Sequence, residues 1–278
     1  MSGMCKPHVT IIVATHKEYQ MPKDEMYLPL HVGAEGKTDM AGNPLDLGYI
    51  KDNTGENISR FNSSFCELTG LYWAWKSLDE EYIGLVHYRR HFSLKKIHTT
   101  NSFDNVLTYQ QIYPYLGNIR IFVPNKRRYY IETLYSHYAH THYSSQLDET
   151  RKVIGKKYPQ YLNSFDFVVN QRYGYMFNMM IMQNNLLDQY CAWLFDILFE
   201  LETRINGLEL SAFQGRCYGR ISEIIFNVWL DYQIRNKKLR KEEIMEIPVI
   251  YMEKVNWWKK GSLFLAAKFL GRKYNKSF

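Results

Sequence analysis

Residues 82–92 read YIGLVHYRRHF, an apolar run that stops on His87, Tyr88, Arg89, Arg90 and His91. A guanidinium group grips phosphate oxygens through two parallel N–H donors and keeps its charge, so Arg89 and Arg90 at a strand end have the chemistry to hold a diphosphate without a metal. Pairing with surface acids is the plainer explanation of the same residues. A second polar group is HYAHTH, where His137, His140 and His142 alternate with tyrosines after NKRRYY. A helix would bring His137 and His140 to one face. No carboxylate or cysteine completes an obvious ligand set within reach in sequence, so zinc is not predicted. Rings and imidazoles in this order suit stacking on a sugar or base, with Lys126, Arg127 and Arg128 as phosphate contacts. Packing of a tyrosine-rich helix accounts for them equally well.

The hydrophobic pattern supplies elements to position these groups. Val9, Ile11, Ile12 and Val13 form a β-branched run that breaks at Ala14, Thr15 and His16, which predicts a buried first strand opening into a loop. Residues 18–57 are rich in glycine and proline, with one short strand expected in YLPLHVGA. Phe65, Leu68, Leu71, Tyr72 and Trp75 recur at helical spacing and predict a helix over residues 63–78, capped by Asn62 or Ser63. It leads into the strand Tyr82–Val86. Ile119, Ile121 and Val123 suggest another strand, and RRYYIETLYSHYAHTHY a helix or lid. GYMFNMMIM reads as a core strand, with Asn178 able to face a site from its end. A long helix carrying Leu187, Cys191, Leu194, Phe195 and Leu198 follows. Strand and helix thus alternate, which predicts an α/β sheet with helices on both faces and ligands at strand ends.

The chain has 278 residues, 46% of them hydrophobic and 16% aromatic, enough to bury a large core. No stretch reaches the roughly 18 apolar residues that a membrane span needs, and the polar start MSGMCKPH lacks a signal-peptide core, so a cytoplasmic location is expected. Cys5, Cys66, Cys191 and Cys217 are far apart and read as reduced thiols. The net charge is +7, but residues 251–278 hold seven Lys/Arg against one Glu and so carry +6 of it. A nearly neutral body excludes a general nucleic-acid-binding face. The division expected is a folded domain over 1–250 and a basic tail over 251–278. The tail interleaves Trp257, Trp258, Phe264 and Leu265 with lysines, the pattern of an amphipathic helix lying on the inner face of a membrane. Docking on the chain's own domain or on a partner subunit is the alternative.

The blocks NISRFNSSFCELTGLYWAWKSLDEEYIGLVHYRRHF, VPNKRRYYIETLYSHYAHTHY and GRCYGRISEIIFNVWL resemble a family of bacterial capsular and exopolysaccharide glycosyltransferases long known as a domain of unknown function. The resemblance spans roughly residues 8–250. It implies a GT-A-like α/β fold, a mixed sheet flanked by helices, and sugar transfer from a UDP-sugar, with galactofuranose one candidate sugar. The implied acceptor is an oligosaccharide on a polyprenyl carrier. Thr15, His16 and Lys17 then lie where the first strand meets the base or ribose. Glu67 and Thr69 are polar enough to reach the nucleotide, and His87, Tyr88, Arg89 and Arg90 become diphosphate and donor-sugar contacts. Arg128, His137, His140, Asn178 and Ser222 are further candidates for acceptor or diphosphate contact.

Inverting transfer requires a general base and electrostatic help for the departing diphosphate. Glu223, placed with Ser222 at the start of an apolar helix in GRISEIIFNVWL, is the expected base. A first-turn acid that merely stabilises the helix dipole is the competing role, worth about 0.3–1 kcal/mol. Asp166 is a second candidate, read as lying before a strand. Asp-X-Asp is absent, so no cofactor is expected; magnesium or manganese held by dispersed residues such as Asp46, Asp52 and a histidine is the less favoured arrangement. A non-catalytic subunit that binds a nucleotide sugar or carbohydrate is the alternative function.

Overall fold

A computed structural model describes residues 8–95, 102–205, 211 and 214–253. The chain opens with β1 (Val9–Thr15), β2 (Tyr27–His31) and the two-residue β3 (Ile50–Lys51). Two helices, α1 (Asn62–Phe65) and α2 (Leu68–Ser77), precede β4 (Tyr82–His87) and β5 (Arg90–Phe92). The short α3 (Tyr109–Ile112) leads to β6 (Ile121–Pro124) and β7 (Arg127–Arg128). Three helices follow, α4 (Leu134–Thr141), α5 (Ser144–Lys157) and α6 (Leu162–Val169). Then come β8 (Tyr173–Gly174), β9 (Met180–Gln183), α7 (Asn184–Ile205) and α8 (Cys217–Arg235). Strands β10 (Ile244–Ile247) and β11 (Val249–Tyr251) end the described part.

The main sheet runs β10-β6-β9-β4-β1-β2-β3, with β5 beside β4 and β11 beside β5. β1 is parallel to β2 and β4, whereas β9 lies antiparallel between β4 and β6, so the sheet is mixed as the resemblance implies. Alternation along the strands divides the core. Ile12, Leu30, Ile83, Leu85 and Met182 share one apolar cluster with α2, α5, α6, α7 and α8. Ile11, Val13, Tyr82, Val86 and Ile181 face the other way, under Val106, Leu107 and Ile112. Most helices therefore lie on one face, and the second is covered by a loop-rich segment with the short α3.

Four local readings change. The helix expected over 63–78 is broken at Cys66, whose φ of +55° is strained for a non-glycine residue. Asn62 does not cap it from outside: as the first residue of α1, it donates from Nδ2 to the Cys66 carbonyl (2.8 Å) and closes the break. Only Met180–Gln183 of GYMFNMMIM is strand, because Phe177 and Asn178 both adopt positive φ, +79° and +52°. Asp166 lies within α6, not before a strand, and binds Arg151 through two 2.7 Å hydrogen bonds on the surface. Glu223 lies in the second turn of α8, seven residues in, because the helix already begins at Cys217. The amphipathic helix expected in the tail lies, from residue 254 on, outside the described residues. Tyr251, at the head of that tail, is sheet: it pairs with Arg90.

Asp52 ties the irregular early segment to the helices. Its buried carboxylate accepts from Gly33 N–H (2.8 Å), Ala34 N–H (3.1 Å), Thr69 Oγ1 (2.6 Å) and Ser59 Oγ. Asp52→Ala would take this acceptor from the Gly33 and Ala34 amides and from Ser59 Oγ, leaving Thr69 Oγ1 only the Cys66 carbonyl (3.2 Å), and is expected to cost about 4 kcal/mol of stability in urea unfolding, with Asp52→Asn intermediate. Equal midpoints for the alanine variant and the parent would contradict this role.

Candidate functional site

β1 and β4 run parallel and end side by side, Ala14 opposite His87. Side chains at these two strand ends face the α1–α2 break and the first turns of α8 across a cleft of about 210 Å³. The apolar-to-charged change at residue 87 thus marks the point where β4 leaves the core. The break at Cys66 has a matching effect, turning Cys66 and Glu67 out of the helical stripe into the cleft. α8 can approach because residue 219 is glycine; a Cβ there would sit 3.3 Å from Cys66 Sγ.

Four guanidinium groups line the cleft, Arg89, Arg90, Arg216 and Arg220, against two carboxyls, Glu67 and Glu223. Arg89 lies over the Tyr88 ring (5.2 Å) and within 3.4 Å of Glu253. Arg90 stacks on Phe177 (4.7 Å). Arg216 donates from Nε to Cys66 Sγ (3.1 Å), and Arg220 from Nη1 to His142 Nδ1 (2.9 Å). These contacts fix the stems and aim several cations at one space. The N-terminal amides of α8 add their partial positive charge to the same end.

The two carboxyls differ. Glu67 accepts from Asn178 Nδ2 (2.6 Å) and lies 3.8 Å from His87 Nε2. His87 donates from that nitrogen to the Phe177 carbonyl (2.8 Å), and burial lowers its pKa, opposed by Glu67. Glu223 sits half-buried, enclosed by protein atoms. Burial first, and the Glu67 charge second, push its carboxyl from the ordinary 4.5 up to about 7. Burial also holds the Cys66 thiol protonated, raised to about 11.

A carboxyl raised in the folded state binds its proton more tightly there than in the unfolded chain. Its stabilisation is complete below about 4.5 and is lost as the pH rises through about 7. Glu223→Gln, which mimics the protonated form, is therefore expected to unfold about 2 kcal/mol later than the parent at pH 8 and together with it near pH 4.5. Parallel stability curves for the two proteins would contradict a raised Glu223.

Of the residues expected at a site, His16, Glu67, His87, Tyr88, Arg89, Arg90 and Glu223 converge on the cleft. Lys17 stands beside it, its Nζ over the Tyr88 ring (5.2 Å) and 4.0 Å from Glu253. The His16 pKa is lowered by burial and by Arg89, Lys17 and Arg216. Thr15 and Thr69 are buried: Thr15 donates to the Lys17 carbonyl (2.7 Å) and Thr69 to Asp52, so they shape loops rather than face the cleft. Asn178 and Ser222 lie just behind it, Ser222 donating to Asn178 Oδ1 (2.8 Å). Arg128 sits on exposed β7, paired with Tyr173. His137 and His140 donate from Nδ1 to the two oxygens of buried Glu132, at 2.8 and 2.7 Å. The carboxylate missing from the HYAHTH run thus comes from five residues upstream. Among the described residues no group of three or more His, Cys, Asp or Glu side chains is placed to hold a metal ion. Asp46 accepts from the Gly48 amide (3.0 Å), and Asp52 is engaged by its four donors.

Arg216 and Arg220 are candidates that the sequence reading passes over. Their spacing of four in GRCYGR puts them on one face of the opening of α8, which is the signal that could have found them.

Comparison with solved structures finds a match to "WbbM bifunctional glycosytransferase apo structure", with a TM-score of 0.78 and 26% identity. The alignment covers 89% of this chain and 46% of that one, so the chain spans about half the length of its structural relative. No curated protein matches. Among the described residues no helix is long and apolar enough to cross a membrane. The family model described as "Domain of unknown function (DUF4422)" matches residues 10–236, most of the chain, and the protein belongs to that family.

Proposed function

We propose that the protein is an inverting glycosyltransferase that moves a sugar from a UDP-sugar to a lipid-linked oligosaccharide in the synthesis of a surface polysaccharide, without a metal. The observation that carries this reading is one cleft holding four arginines beside a carboxyl whose pKa is raised to about 7. Similarity to half of a bifunctional glycosyltransferase supports it.

In this reading the arginines hold the diphosphate, and His16 and Lys17 contact ribose or base. The acceptor hydroxyl gives its proton to the Glu223 carboxylate while its oxygen forms the new bond to the anomeric carbon. The bond from that carbon to the diphosphate oxygen breaks with both electrons leaving on UDP, where the guanidinium groups meet the developing charge. A base with a pKa near the working pH is both available and strong enough for this transfer. Galactofuranose is the sugar we favour.

Calorimetric titration with UDP, with and without magnesium or manganese, tests the donor site. Micromolar to millimolar binding that is indifferent to metal is expected. Binding only with metal would overturn the metal-free reading, and no binding would overturn the UDP reading.

The lipid carrier of the proposed acceptor and the seven Lys/Arg over 251–278 support attachment to a membrane surface. The full chain is expected to sediment with anionic vesicles, and a version ending at residue 253, which keeps Tyr251 in the sheet, is not. Equal sedimentation would remove the tail from this role.

A further inference from the structure

Two neighbouring non-glycine residues, Phe177 (φ +79°) and Asn178 (φ +52°), hold the left-handed conformation just ahead of β9. Asparagine tolerates this region, phenylalanine does not, and such strain persists where the surroundings over-determine it. Four polar groups of the pair are turned to the cleft or its walls. The Phe177 carbonyl accepts from His87 Nε2 (2.8 Å), and its backbone N–H donates to the Glu223 carboxyl. Asn178 is 4% exposed; its Nδ2 donates to Glu67 Oε1 (2.6 Å) and to the Gly219 carbonyl (2.7 Å), while its Oδ1 accepts from Ser222 Oγ (2.8 Å). One two-residue turn therefore grips β4 through His87, the helix break through Glu67, and α8 through Gly219, Ser222 and Glu223.

We propose that Phe177 and Asn178 are positioning residues: their strained turn holds the Glu67 and Glu223 carboxyls in place in the cleft and so sets the charge that Glu223 faces. The proposal takes from the proposed function only that Glu223 is the base. Glu67 at the helix break, Arg90 on β5, Arg127 on β7 and Arg220 on α8 act on Glu223 through their charges, and His87 on β4, Arg89 and Arg216 line the same cleft. Arg90, Arg127 and Arg220 favour the carboxylate, and Glu67 opposes it. The Asn178 amide stabilises the Glu67 charge and thereby keeps the opposing charge beside Glu223. Without it, Glu67 is held less firmly and the charge that opposes the Glu223 carboxylate weakens.

Asn178→Gly separates this role from a structural one. Glycine adopts the turn's φ with less strain than asparagine, so the backbone is retained while the amide is lost. The test is a pH titration of the full chain labelled with carboxyl-¹³C glutamate, using Glu223→Gln and Glu67→Gln for assignment. In the parent, one carboxyl is expected to titrate near 7. In Asn178→Gly, the Glu223 titration is expected to move to lower pH, by on the order of half a unit or more. Asn178→Asp, which keeps the shape and adds a third carboxylate, should move it to higher pH instead and serves if the glycine variant does not fold. The acid limb of UDP-sugar hydrolysis should move by the same amount with a more than tenfold loss of kcat, while the Kd for UDP stays within about threefold. Unmoved carboxyl titrations in a folded variant would overturn the proposal. Failure of UDP to bind the parent would instead overturn the donor site, and the carboxyl titrations would still decide the role of the turn.

Discussion

Glu223→Gln is expected to lower turnover of a UDP-sugar by about 10³-fold while leaving UDP affinity within about twofold. The size follows from general base catalysis, which supplies about 10²–10⁴-fold. The split follows from where the carboxyl sits. The cations that would meet the diphosphate are carried by other residues, so the amide removes proton acceptance without unmaking the donor site. Glutamine keeps the shape, and its neutral amide spares the cleft the burial of a charge. The variant is thus expected to be more stable at pH 8 and nearly inactive, a combination that a merely structural acid would not give. Full turnover by Glu223→Gln would remove Glu223 as base and return attention to Glu67, the other carboxyl in the cleft.

The Arg216→Ala/Arg220→Ala pair should weaken UDP binding by about 10²-fold or more, since a hydrogen bond to a charged group contributes about 1.5–3 kcal/mol and a tenfold change is 1.4 kcal/mol. Each arginine is already oriented, one by Cys66 Sγ and the other by His142, so little order has to be created when a diphosphate arrives. Arg89→Ala/Arg90→Ala should behave alike from the opposite wall. Arg151→Ala is the charge control: its guanidinium is paired with Asp166 on the surface, and its loss should leave UDP affinity unchanged. Equal weakening by all three would mean that the cleft responds only to net charge.

The strand ends were legible because β1 and β4 are unbroken apolar runs that stop on polar residues, and burial writes such runs into sequence. The charged cluster at residues 87–90 was legible for the same reason. The helix break was not. FCEL carries the apolar period straight through it, with no glycine or proline, and the break depends on Asn62 folding back onto the Cys66 carbonyl. Phe177 and Asn178 were hidden in the same way inside GYMFNMMIM, where composition favours strand and only tertiary contacts impose the turn. Glu223 was found as a titratable group in a distinctive block, but its pKa is raised first by burial and then by Glu67, 156 positions away in the chain, and both arise only on folding. Glu132 lies close in sequence to His137 and His140, yet it precedes their helix, and helical spacing gives no reason to join it to them.

The most direct test of the account is to incubate the full chain with UDP-galactofuranose, UDP-galactose or UDP-glucose and a lipid-linked oligosaccharide extract, and to follow UDP and the anomeric signals of the product by NMR. The account predicts release of UDP from one of these donors and a new glycosidic bond of opposite anomeric configuration to the donor. UDP binding without release from any donor would contradict it and make the protein a binding subunit; retained configuration would contradict Glu223 as the base of a single displacement.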